Sequence, residues 1–166
     1  MNTDTLRAQL IRNWNEVPLT RTDRPPRHES RYGSLTEGTV AKQLGASVDT
    51  VPPGKQACPY HFHYAQEEMF VILEGEGTLR VAGELLPVTA GDVITIPAGR
   101  DFPHHLLNTG TSDLKYLSIS TMQRPEICEY PDSAKVGAFP GEAGPRFMGR
   151  RTPEAEQGLD YWDGEP

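Results

Sequence analysis

The chain has 166 residues, with 16 basic and 23 acidic side chains and a net charge of −7. That length fits one domain and buries roughly 70% of the unfolded surface on folding. An acidic chain without a basic block lacks the concentrated positive face of a nucleic-acid binder, and no apolar run approaches the roughly 20 residues of a membrane span.

The opening segment, MNTDTLRAQLIRNWNEV, has no apolar stretch of the signal-peptide kind, so the expected location is cytoplasmic. Two cysteines, Cys58 and Cys128, do not make a disulfide scaffold and read as free thiols. Glycine (16) and proline (15) are spread as punctuation, which suits short strands joined by turns.

Residues 1–38 read as an N-terminal arm. Residues 5–14 are expected to form a short helix with Leu6, Leu10 and Ile11 on one face. Residues 21–31 are polar and proline-bearing, and are expected to wrap the domain as a loop, with His28 exposed.

Residues 39–122 carry dense strand signals. The segment TVAKQLGASVDTV alternates, with Val40, Lys42, Leu44, Ala46 and Val48 on one face, and ends at Pro52-Pro53-Gly54. Short apolar runs follow, broken at Gly75, Gly77, Gly83, Gly91, Gly99 and Gly110. No stretch sustains helical periodicity. The expectation is an all-β sandwich or barrel. Residues 123–166 change to Gly, Pro and charge with apolar islands. They read as an irregular C-terminal extension that docks on the barrel or on a partner subunit, with Tyr161 and Trp162 as anchors.

The chemistry lies in HFHYAQEE. His61 and His63 stand at i and i+2, so a strand turns both to one face. A carboxylate follows at Glu68, and a second histidine-bearing strand begins at His104-His105. Histidine nitrogens with one carboxylate oxygen suit a transition metal and are too nitrogen-rich for calcium or magnesium. Four protein ligands in an octahedral sphere leave open positions for substrate, which is a catalytic arrangement.

The full grammar is Gly54, His61-x-His63-x4-Glu68-x6-Gly75, then Gly91-x5-Pro97-x-Gly99 before His104-x3-Asn108. It resembles the two motifs of the cupin superfamily over about half the chain. The resemblance implies a single-cupin jelly-roll β-barrel, a metal held by His61, His63, Glu68 and His104, and a homodimer. The gap from Gly54 to His61 is one residue longer than usual in the family, and that from Gly99 to His104 two longer. Spacing to Asn108 favours His104 over His105, and spacing to Gly75 favours Glu68 over Glu67. Phe70, Ile72 and Leu106 share the parity of the ligands and are the expected pocket lining. Asn108 reads as a hydrogen-bonding turn residue, and Cys58 as a thiol without a route to the metal.

The acidic, tailed chain is similar to small bacterial cupins assigned by inference as sugar phosphate isomerases. The expected function is a metal-dependent enzyme (Zn, Mn, Fe or Ni) of isomerase or epimerase type acting on a sugar or other small polar substrate. Two alternatives stand beside it: a non-catalytic small-ligand binder and an Fe(II) dioxygenase. The catalytic base is unassigned.

Overall fold

Alternating apolar residues between glycine turns make strands, and the computed structural model, which describes residues 1–141 and 147–151, arranges them in three antiparallel sheets. In chain order the elements are α1 (Thr3–Leu10), β1 (Thr20–Arg24), β2 (His28–Ser34), β3 (Leu44–Val51), β4 (Phe62–His63), β5 (Glu68–Glu74) and β6 (Glu76–Val81). Then come β7 (Glu84–Thr89), β8 (Val93–Ile96), β9 (His104–Leu107), β10 (Leu114–Thr121), β11 (Glu126–Tyr130), β12 (Lys135–Phe139) and β13 (Phe147–Arg150). The sheets run β1-β2-β3-β10-β5-β8, β7-β6-β9 and β13-β12-β11-β4. This is a jelly roll. Its core is Val51, Phe70, Ile72, Leu79, Val88, Ile96, Leu106, Leu114 and Tyr116.

The arm differs from its expected form. Helix α1 is shorter than residues 5–14. Asn2 caps it by accepting the Thr5 N–H at 2.8 Å, and none of its residues is buried. Residues 21–31 are not a loop. They belong to a hairpin, with Thr22 opposite Ser30 and Pro25-Pro26 at its turn. Every residue of β1 is exposed, so the strand carries no apolar alternation to betray it. Strand β2 then pairs with β3, Tyr32 lying opposite Asp49. His28 is half-buried, its ring nitrogen 2.8 Å from Gln56 Nε2.

Strand β3 begins at Leu44, and the face that meets the core is opposite to that of Leu44, Ala46 and Val48. Val51 joins the core while Val48, 2% exposed, is covered from outside among Trp14, Leu19 and Arg31. Both faces are buried, so hydrophobicity does not reveal which one looks inward. The inward set is Ser47, Asp49 and Val51.

The C-terminal extension is more regular than expected. Strand β11 joins β4 and β12, and β12 joins β13, with Cys128 directly opposite both His63 and Gly137. Tyr161 and Trp162 lie outside the described residues. No helix among the described residues is long and apolar enough to cross a membrane.

Candidate metal centre

The site is built where three strands meet. His61 forms a backbone bridge with His104, donating its N–H to the His104 carbonyl at 3.1 Å and accepting the His104 N–H at 2.7 Å. His63 lies two residues on, and its ring centroid is 4.9 Å from that of His61, as period-two geometry requires. Glu68 opens β5. The Gly99 N–H donates to the His63 carbonyl at 2.7 Å, and the φ of +113° at this turn is one that glycine adopts without strain.

The ligand atoms of His61, Glu68 and His104 lie within 4.8 Å of one another. His104 Nε2 is 2.8 Å from Glu68 Oε2, and both atoms are buried without a hydrogen-bond partner. His63 Nε2 reaches Glu68 Oε2 at 3.5 Å, and His63 also belongs to a second cluster with His61 and Cys128. The four expected ligands are therefore neighbours, though they do not form one tight set. His105 faces the other way, 4% exposed and edge-on to Tyr60. Glu67 is exposed.

Protonation favours metal binding. Burial drives the His61 imidazole down to about 4, Glu68 opposes that fall, and His104 and His63 add to it. His61 is thus neutral near pH 7, the form that ligates metals. Burial raises the Glu68 carboxyl, but the contact with His104 and the fields of His63, His104 and His61 outweigh it and hold the group below its ordinary value. The carbonyls of Pro59 and Phe102 accept from Nδ1 of His61 at 2.8 Å and of His104 at 3.1 Å, so Nε2 is the ring nitrogen left for a metal in each. Two unsatisfied buried atoms, a neutral His61 imidazole and an ionised carboxylate fit a divalent transition metal.

Phe70, Ile72 and Leu106 belong to the core, with the Phe70 ring centroid 5.7 Å from that of His104. They form the wall behind the cluster. The cavity in front, about 220 Å³, is lined instead by Cys58, Pro59, His61, His63, Gln66, Arg124, Glu126, Cys128, Tyr130 and Phe139. Cys58 lines this cavity with its Sγ 3.9 Å from His61 Nδ1, but it belongs to neither ligand cluster, and burial raises its thiol well above the ordinary value. Of the basic residues, Arg80 is bound to Asp132 at 2.6 and 2.9 Å and stacked 3.8 Å from the Tyr60 centroid, so its role is structural. Asn108 donates to the carbonyls of Val51 and Ser112, both at 2.7 Å, as a turn residue should.

Sequence reasoning missed the contribution of β11. Glu126, Cys128 and Tyr130 alternate on one face and all line the cavity, a period-two signal hidden by its proline- and charge-rich surroundings. Glu126 is 2% exposed and accepts the N–H groups of Tyr64 at 2.9 Å, Ala65 at 3.1 Å and Gln66 at 2.9 Å. Its Oε1 is also 3.6 Å from His63 Nδ1. It clamps the turn between His63 and Glu68. Glu126→Gln replaces one acceptor oxygen with a donor facing buried N–H groups, and is expected to cost about 2 kcal/mol. Urea denaturation checks this, and a loss within error would show that the clamp does not stabilise the fold.

The cupin domain family model matches residues 47–120. Auxin-binding protein 1 of Arabidopsis thaliana is 32% identical over 133 residues, covering 74% of this chain and 64% of that protein. The chain spans 64%, 54% and 62% of the length of the three curated relatives it matches. A candidate sugar phosphate isomerase of Acidithiobacillus ferrooxidans superposes with a TM-score of 0.64 at 27% identity, over 68% of this chain and 71% of that one. A cupin-superfamily sugar phosphate isomerase of Silicibacter pomeroyi superposes with a TM-score of 0.73 at 20% identity, over 84% and 91% of the two chains. That last likeness concerns the fold alone. With a jelly roll, both histidine motifs and the family match in place, residues 47–120 form a cupin domain.

Proposed function

We propose that the protein is a metal-dependent enzyme that isomerises or epimerises a small, oxygen-rich anionic molecule of the sugar phosphate kind. The observation that carries this reading is the convergence of His61, Glu68 and His104, with His104 Nε2 and Glu68 Oε2 buried and unsatisfied. His63 completes the proposed ligand set. A divalent transition metal bound there would supply Lewis-acid polarisation of a substrate carbonyl.

The chain's own residues supply the rest. The backbone bridge between His61 and His104 fixes two ligands relative to each other. Phe70 and the core behind it exclude water from one side. At the cavity, Arg124 offers a guanidinium beside Phe139, 5.9 Å from that ring centroid, where it can pair with a phosphate or carboxylate. The likeness to a candidate sugar phosphate isomerase supports the same substrate class.

Metal analysis by mass spectrometry, on tag-free protein purified without nickel resin or chelator, should find about one transition-metal ion per chain. Deuterium exchange at substrate carbon, followed by NMR over a panel of sugar phosphates, should then show turnover. No metal, with none regained from a panel of divalent ions, overturns the reading. Saturable ligand binding without exchange replaces the enzyme with a binding protein, which the likeness to auxin-binding protein 1 supports as a second reading. Stoichiometric iron with oxygen uptake replaces it with a dioxygenase.

A further inference from the structure

Two ligand clusters share one histidine. His61, Glu68 and His104 offer two nitrogens and an oxygen, while His61, His63 and Cys128 offer two nitrogens and a sulfur, each trio within 4.8 Å. Hard and borderline ions such as Mn²⁺ suit the first set, and thiophilic ions such as Cd²⁺, Zn²⁺ and Cu⁺ suit the second. Cys128 is 3% exposed, stands opposite His63 across β4 and β11, and lines the same cavity as both histidines. It is a free thiol.

His61 cannot serve both sets at once. Its Nδ1 proton is donated to the Pro59 carbonyl at 2.8 Å, so Nε2 holds the only lone pair of the ring. The second thiol lies on the wrong side of the ring, since Cys58 Sγ is 3.9 Å from that occupied Nδ1.

We propose that Cys128 gives this chain a second, mutually exclusive metal-binding mode, in which His61, His63 and Cys128 hold a thiophilic ion in place of the ion held by the His–Glu set. Binding replaces the thiol proton of Cys128 with a metal–sulfur bond, and the proton leaves to solvent. No oxidation is involved. This mode rests on the proposed metal centre through the shared His61 and His63. A thiophilic ion drawn towards Cys128 leaves Glu68 and His104, so it occupies the site without the geometry proposed for turnover.

Cobalt(II), cadmium(II) and manganese(II) titrations of the metal-free full chain test the proposal. With cobalt or cadmium, wild-type protein should show thiolate-to-metal charge-transfer absorption in the ultraviolet. Cys128→Ser should lose that band and bind Cd²⁺ roughly tenfold or more weakly, with Mn²⁺ affinity within about twofold of wild type. Cys58→Ser should keep the band, and circular dichroism confirms that both variants are folded. Metal binding without a thiolate band in wild type overturns the second mode and leaves the His–Glu set standing. A band that survives in Cys128→Ser also overturns it. Failure to bind any of the three ions overturns both.

Discussion

Glu68→Gln is expected to strip the metal. Glutamine matches glutamate in shape but replaces an anionic donor with a neutral amide among three imidazoles. Glu68 lies 2.8 Å from His104 Nε2 and 3.5 Å from His63 Nε2, so its charge acts on most of the proposed ligand set. The surrounding histidines already hold this carboxyl below its ordinary value, which keeps it ionised and ready to ligate. Affinity for a divalent ion should fall roughly a hundredfold or more, beyond the 10–100-fold typical of losing a group that merely supports a ligand. Any turnover should fall with it. Glu67→Gln is the control, because that side chain is exposed and should leave affinity within about twofold. Isothermal titration of both variants decides the matter. Retention of wild-type affinity in Glu68→Gln would remove Glu68 from the ligand set.

The second large effect concerns stability. Asp49 sits on the inner face of β3, 8% exposed, with the Ser47 hydroxyl donating to it at 2.7 Å. Burial pushes its carboxyl up to about 6, and the Ser47 hydrogen bond offsets only part of that rise. The folded state therefore binds a proton more tightly than the unfolded chain. Stability from this group is fully present below the unfolded value near 3.8, and is lost as pH rises through about 6. A shift of that size corresponds to about 3 kcal/mol at neutral pH as an upper bound. Asp49→Asn keeps an acceptor for Ser47 and removes the charge. It should raise Tm by roughly 5 °C or more at pH 7.5 and change it little at pH 4. Thermal scans at the two pH values measure this. Equal shifts at both would mean that packing, and not ionisation, separates the two side chains.

How much of this was legible follows from the range of each signal. The barrel was, because its strands are punctuated by glycines that the turns require. Gly75, for instance, has φ +83°, and a Cβ there would collide with the Asp113 carbonyl oxygen. The spacing His61-x-His63-x4-Glu68 was local enough to read, and strand parity with the spacing to Asn108 separated His104 from its neighbour. Asp49 was not legible, because β3 is covered on both faces and the apolar residues of its alternating set face outward. The hairpin of β1 and β2 was hidden by the wholly exposed β1. Cys128 and Glu126 act at the site through pairing with residues some sixty positions earlier, and no local pattern encodes that partnership. Composition misled there too, since proline and glycine in the last third suggested irregularity where strands form.

The hairpin has a practical consequence at the sheet margin. Strand β2 hydrogen-bonds along β3 from Arg31 opposite Thr50 to Ser34 opposite Ser47. Without it, β3 would become an open edge, with unpaired amide and carbonyl groups beside the apolar surface of Val48. A chain trimmed to the family-matched region would thus gain a template for intermolecular strand addition. With the hairpin in place the sheet margin passes from β3 to the polar, wholly exposed β1, and a version of this domain that keeps β3 covered begins before β2.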